Sequence, residues 1–156
     1  MGRLHFSLPQ VWESVYILCK QGQKLRMTKR IRPLRFGALP SQTINLTLDH
    51  LNLAAGEVLM SGKAQTHASD RHPKDFPVCL PHIGAVIADP DYIGDDKKNT
   101  GKIELISTIK PAGLSILVAV LLKPDNYGNY HIISFYPVSE AKIGGRLARG
   151  FLKIAK

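Results

Sequence analysis

Ile103-Glu104-Leu105-Ile106-Ser107-Thr108-Ile109, Leu114-Ser115-Ile116-Leu117-Val118-Ala119-Val120-Leu121-Leu122 and Tyr130-His131-Ile132-Ile133-Ser134-Phe135-Tyr136 follow one another as three runs dense in β-branched, aliphatic and aromatic residues. Such side chains fit a pleated, half-buried surface, so each run reads as a strand. Lys110-Pro111-Ala112-Gly113 separates the first two, and Lys123-Pro124-Asp125-Asn126-Tyr127-Gly128-Asn129 the last two. Both separators are rich in residues that set turn dihedrals at little cost, and an antiparallel meander over 103–136 is expected.

Working outward towards the N-terminus, residues 94–101 are a polar loop, and 76–93 read as a proline-punctuated loop followed by a short helix over 81–88, halted at Asp89-Pro90. Before it, Thr66-His67-Ala68-Ser69-Asp70-Arg71-His72 belongs to a helix expected over 63–72 and stopped by Pro73, because the residue before proline is pushed out of helical dihedrals. Glu57-Val58-Leu59-Met60 is a short strand. Residues 41–51 alternate Ile44, Leu46 and Leu48 with polar neighbours, the period-2 pattern of another.

Further out, residues 7–20 show helical apolar spacing behind a Ser7 cap, and residues 24–35 are basic, fitting either an arm or an edge strand, with the arm favoured. On the other side of the meander, residues 139–156 form a basic amphipathic helix capped by Ser139: Lys142, Arg146, Arg149, Lys153 and Lys156 line one stripe, Ile143, Leu147, Phe151 and Ile154 the other. Gly144, Gly145 and Gly150 weaken it by about 1 kcal/mol each, so it depends on packing against the sheet. Helices first, strands second and one closing helix make an α+β domain over 41–156, with 1–40 as a basic N-terminal segment.

The chain has 156 residues, 44% of them hydrophobic and 21% charged, which suits a single globular domain. Its longest apolar run, 114–122, is interrupted by Ser115 and too short to span a bilayer. Met1-Gly2-Arg3-Leu4-His5 does not open a secretory signal, so synthesis in the cytoplasm is expected. Cys19 and Cys79 have neither disulfide-framework nor zinc spacing and are expected to be buried thiols. The net charge of +9 lies in the flanks: residues 1–40 carry +7, residues 139–156 carry +4, and the middle is −2. The isoelectric point alone is therefore weak grounds for nucleic-acid binding.

His67 and Arg71, four apart, share a helix face, while His72 lies roughly 140° round from His67 at 100° per residue. On the last strand, Ile132, Ser134 and Tyr136 fall on one face and His131, Ile133 and Phe135 on the other. A solvated helix surface and an ordinary wet sheet face explain these residues at the plainest level. Taken together, imidazole, guanidinium and hydroxyl groups also fit metal-free phosphodiester cleavage by a neighbouring 2′-hydroxyl. Imidazoles move the protons, the guanidinium fork holds the phosphate, and hydroxyls stabilise the growing charge. A zinc site from His67, His72, His82 and Asp70 fits less well, since a five-residue histidine spacing does not place two imidazoles on one helix face. Ser134 lacks a glycine-flanked elbow, which argues against a serine hydrolase.

Gly56-Glu57-Val58-Leu59-Met60-Ser61, His67 with Arg71-His72-Pro73-Lys74-Asp75-Phe76, Ala88-Asp89-Pro90-Asp91-Tyr92-Ile93 and Ser134-Phe135-Tyr136 form a pattern that resembles the phage-associated nuclease domains of the superfamily named after barnase, EndoU, colicin and RelE toxins. The resemblance runs from about residue 56 to 138. It implies helices packed on a four- or five-stranded antiparallel sheet, and metal-independent endoribonuclease activity, often toward tRNA, in a toxin. It carries catalytic roles to His67, Arg71, His72, Ser134 and Tyr136, places Tyr92 near the substrate, and makes Lys63 a phosphate contact. No metal or other cofactor is implied.

The expected function is thus an RNase toxin that cleaves RNA to a 2′,3′-cyclic phosphate, with the basic flanks, including Arg146 and Arg149, holding the backbone. An immunity or antitoxin protein and delivery into a target cell belong to the same expectation; a membrane does not. Two alternatives stand beside it. One is a non-catalytic module binding nucleic acid or an acidic protein through residues 24–35 and 142–156. The other is an effector that keeps the nuclease fold but binds host proteins.

Overall fold

The structure, a computed structural model, describes residues 30–95 and 100–156. The helix expected over 7–20, Cys19 and the first half of the basic stretch 24–35, residues 24–29, lie outside the described residues. Residues Pro33–Lys156 form one compact unit.

The chain runs through β1 (Leu34–Ala38), α1 (Ser41–Thr47), β2 (Glu57–Met60), α2 (Gly62–Arg71), α3 (Asp75–Cys79), α4 (Ile83–Ala88), β3 (Tyr92–Asp95), β4 (Lys102–Ile109), β5 (Leu114–Leu121), β6 (Tyr130–Pro137), α5 (Glu140–Ala148) and β7 (Leu152–Ile154). The strands form one sheet in the order β1-β2-β6-β5-β4-β3-β7. The meander is present as expected, with β4 antiparallel to β5 and β5 antiparallel to β6. The fold is α+β, but the sheet has seven strands among the described residues, not four or five. It is also mixed, not antiparallel, because β2 pairs parallel with β6, through Val58 opposite Tyr130 and Leu59 opposite His131. Nor are the helices gathered ahead of the strands: β1 precedes α1, and β2 lies between α1 and α2.

Two apolar layers hold the sheet. On one face, Val58, Met60, Ile103, Leu105, Ile116, Val118, Val120, Ile132 and Phe135 pack with Ile44, Ala68, Cys79, Ile83, Val86 and Ile87 from α1–α4. On the other, α5 lays Ile143 and Leu147 on Ile106, Leu117, Ala119, Val138 and Leu152. Burying one such aliphatic side chain contributes about 1.5–3 kcal/mol, so these layers dominate the stability.

Several segments depart from expectation. Residues 41–47 are helical, not a strand: Ile44 and Leu48, four apart, are buried at 0% and 2% exposure, while Leu46, the middle member of the apparent alternation, is 65% exposed. Asn45 then ties α1 to the following turn, its side chain donating to the Leu53 carbonyl and accepting from the Leu53 N–H. Residues 76–79, expected as loop, belong to α3, and the expected helix over 81–88 is a 3₁₀ turn at Leu80–His82 followed by α4. Tyr92–Asp95, whose last two residues belong to the expected polar loop, is β3. The closing helix stops at Ala148, because Gly150 adopts φ +72° and the Phe151 and Gly150 amides turn back to the carbonyls of Arg146 and Leu147. Phe151 and Ile154 are therefore not on a helix, and Leu152–Ile154 adds β7 to the far edge. Of the basic stretch, Leu34 and Arg35 belong to edge strand β1, where Arg35 pairs with Glu57.

Candidate functional site

Ser61 starts α2 by accepting a hydrogen bond from the Ala64 amide at 3.1 Å. The helix buries only Gln65 and Ala68. Its end is pinned on both sides, since the His72 amide donates to the Ala68 carbonyl and the His72 carbonyl accepts from the Phe76 amide at the start of α3, each at 2.9 Å. The β2–β6 pairing spans only Tyr130 and His131, so among the described residues the later part of β6 has no strand along that edge, and α2 and α3 lie against it. Consecutive residues of β6 each meet an aromatic ring from this junction. Phe135 packs on Phe76 with centroids 5.4 Å apart, and Tyr136 faces His72 at 6.4 Å with the rings 34° apart.

A bulge in β6 sets which hydroxyls share a surface. Ala119 pairs with Ser134 and Val120 with Ile132, so Ile133 is an extra residue. Ile132 and Phe135 both enter the core under α1–α4, whereas Ile133 and Tyr136 pack toward α5. Strict alternation had put Ile132 with Ser134 and Tyr136, and Phe135 opposite Ile132; the bulge overturns both assignments while leaving Ser134 and Tyr136 together. Cross-strand pairing then aligns Tyr92, Ile106, Leu117 and Tyr136 in one row across the sheet, and Gly94, Glu104, Ala119 and Ser134 in the next. Into this second row α5 brings Arg146, which pairs with Glu104; their side chains are 21% and 4% exposed. Sequence reasoning missed Glu104, whose signal was a lone carboxylate within the apolar run Ile103–Ile109.

Tyr92, Ser134, Tyr136 and Arg146 thus share one sheet face, and His72 reaches its edge through Tyr136. Lys63, His67 and Arg71 are exposed on α2, and no hydrogen bond, ion pair or ring contact links His67 or Arg71 to Ser134 among the described residues. Arg149 is exposed, donating from Nε to the Gly145 carbonyl at 3.0 Å with its guanidinium 5.6 Å from the Phe151 ring centre. Cys79 is buried as a free thiol, and burial, with the nearby Asp75 charge, pushes its pKa up.

Two imidazole–carboxylate pairs lay outside the sequence reading because each joins residues brought close by a turn or by the sheet. His131 Nε2 meets Asp125 Oδ2 at 2.8 Å, while Asp125 Oδ1 accepts from the amides of Tyr127 and Asn129 at 2.9 and 3.0 Å. The His131 bond first, and then the Asn129 amide, pull the Asp125 carboxyl down to a pKa of about 2. His50 Nε2 meets Asp95 Oδ2, also at 2.8 Å, in a cavity of about 180 Å³ lined by Leu48, His50, Asp95, Gly150, Phe151 and Lys153. None of the sequence-derived candidates lines it. Among the described residues no group of three His, Cys, Asp or Glu side chains is placed to hold a metal ion, and no helix is long and apolar enough to cross a membrane.

No curated protein and no solved structure gives a significant match to the chain. Residues 37–144, which take in the end of β1, strands β2 to β6 and the α2–β6 junction, match a nuclease family, and the chain belongs to it: phage-Barnase-EndoU-ColicinE5/D-RelE like nuclease3.

Proposed function

We propose that this nuclease domain cleaves RNA without a metal, through attack of a 2′-hydroxyl on the adjacent phosphate, at the junction of α2 with β6. The carrying observation is the approach of His72 to Tyr136, which brings an imidazole to a sheet face that also bears Ser134. In this reaction the O2′–P bond forms and the P–O5′ bond breaks. An imidazole takes the O2′ proton, and the leaving O5′ receives a proton in turn. His72, next to a phenol and with its backbone pinned at the helix end, serves proton transfer, with His67 as the second imidazole. Arg71, adjacent in sequence, offers its planar fork to the phosphate. Ser134 and Tyr136 donate to the charge that builds on the phosphorane oxygens.

The exposed cations Lys63 on α2 and Arg149 just past the end of α5, with the partly exposed Arg146, hold the flanking RNA backbone. A toxin directed at tRNA, countered by an immunity or antitoxin protein and delivered into a target cell, is the biological setting of this reading; growth arrest on expression is its simplest check. For the chemistry, RNA incubated with the protein in chelator yields fragments ending in 2′,3′-cyclic phosphate. His72→Ala, with folding intact by circular dichroism, lowers the rate by about 10²–10⁴. RNA left intact by a folded protein, or full activity in His72→Ala, contradicts the proposal. RNA binding that survives His72→Ala without any cleavage, yet vanishes when the exposed Lys142 and Arg149 are neutralised, favours a non-catalytic module instead.

A further inference from the structure

The turn between β5 and β6 is built around one carboxylate. Asp125 Oδ1 accepts the amides of Tyr127 and Asn129, Oδ2 takes the imidazole of His131, and the Asp125 backbone closes the turn with Asn129 and Gly128. The turn is braced from behind: a Cβ on Gly56 would lie 2.2 Å from the Gly128 carbonyl and 2.9 Å from the Tyr130 ring, so the chain entering β2 packs directly on it. Tyr130 adds a 2.7 Å hydrogen bond from its hydroxyl to the Ala54 carbonyl.

None of this involves the side chain of Tyr127. It is 91% exposed, and its ring and hydroxyl make no hydrogen bond or ring contact among the described residues; only its amide is used. A rigid turn therefore presents a whole aromatic face to solvent at no cost in loop ordering on binding. His131 stands three residues before Ser134 and, because Tyr130 and Ile132 enter the core, lies on the sheet face of Ser134 and Tyr136. Its Nε2 is engaged by Asp125, and Nδ1 has no partner among the described residues.

We propose that Tyr127 and His131 form a subsite for an unpaired nucleobase, Tyr127 by stacking and His131 through Nδ1, which accepts a hydrogen bond from an amino or imino group on the base edge while Nε2–H is given to Asp125. This rests on the RNA-cleaving reading and deepens it by naming the substrate class as single-stranded RNA. The spacing fits that role: from His131 to Tyr136 the strand advances roughly 15 Å at about 3.3 Å per residue, more than one phosphodiester unit. The subsite therefore takes a base beyond the scissile linkage. Stacking is tolerant of base identity, because every base has a π-face, but it requires a base free of its own stack.

The test uses the full chain and a fluorescein-labelled 2′-O-methyl hexanucleotide, which has no free 2′-hydroxyl to attack with, beside a blunt duplex of the same length. Fluorescence anisotropy reads the affinities. Tyr127→Ala weakens binding to the single strand about tenfold or more and leaves duplex binding unchanged, while Tyr127→Phe stays within about twofold of the parent. His131→Ala weakens the single strand severalfold. Equal affinity in Tyr127→Ala, equal loss on duplex and single strand, or no affinity of the parent protein for the single strand overturns the subsite. Failure of the two proposals separates cleanly. Loss of binding in Tyr127→Ala together with an absence of any cleavage sinks the catalytic reading and keeps the subsite. Cleavage with a KM indifferent to Tyr127→Ala sinks the subsite alone.

Discussion

Asp125 and Glu104 are the two carboxylates with the most consequence, and they act differently. Asp125 is ionised far below the ordinary carboxylate range because the His131 imidazole and two amides stabilise its charged form. A folded-state pKa depressed to about 2 means that its contribution to stability is complete above the unfolded value near 4 and is lost as pH falls towards 2. Urea midpoints should therefore drop for the native chain between pH 4 and 2, whereas Asp125→Asn should be less stable at pH 7 and flatter in that acid window. An unchanged acid profile in Asp125→Asn would contradict the assignment. Glu104 sits 4% exposed in an apolar layer, paired with Arg146. Removing one partner strands a buried charge, so Arg146→Leu alone should cost about 3–5 kcal/mol, and Glu104→Leu with Arg146→Leu should recover most of it. A double-mutant cycle on chemical denaturation checks this.

At the scale of elements, the close approach of Gly56 to the β5–β6 turn predicts that Gly56→Ala destabilises by at least about 1–3 kcal/mol through overpacking, read as a fall in urea midpoint. The helix of the proposed site depends on its cap: Ser61→Ala should cost about 1 kcal/mol and loosen α2. How far each element was legible follows from what dictates it. The meander could be read because β4, β5 and β6 are long, apolar and separated by turn formers, and α2 because a serine cap and Pro73 bracket it. Residues 41–48 were misread since three aliphatics two apart satisfy a strand, while burial obeys only the pair four apart, Ile44 and Leu48. β3 and β7 depend on each other: Gly94 leaves room for the Phe151 carbonyl and Leu152, a contact no local pattern announces. Gly150 carried the stop signal for α5, but its left-handed φ shows only in three dimensions. In the site, Ser134 and Tyr136 sharing a face was legible; the bulge at Ile133, the Glu104–Arg146 pair and the Asp125–His131 pair were not, because each arises from cross-strand or turn geometry.

For the whole molecule, the α2–β6 junction lies at one edge of a sheet whose α5 face carries the hydroxyls, with exposed cations on α2 and α5 on either side of it. Under the proposed electrostatic holding of an RNA backbone by these groups, affinity should fall with salt, and neutralising Lys63, Arg71 and Arg149 together should flatten the slope of log affinity against log salt by about 2. The central claim is attack by the substrate's own 2′-hydroxyl at this junction. A single-stranded oligoribonucleotide with one 2′-deoxy residue placed in turn at each position, incubated with the protein in chelator, tests it most directly. Cleavage abolished only at the linkage that follows the deoxy residue is the predicted result; cleavage that continues at that linkage would contradict the account.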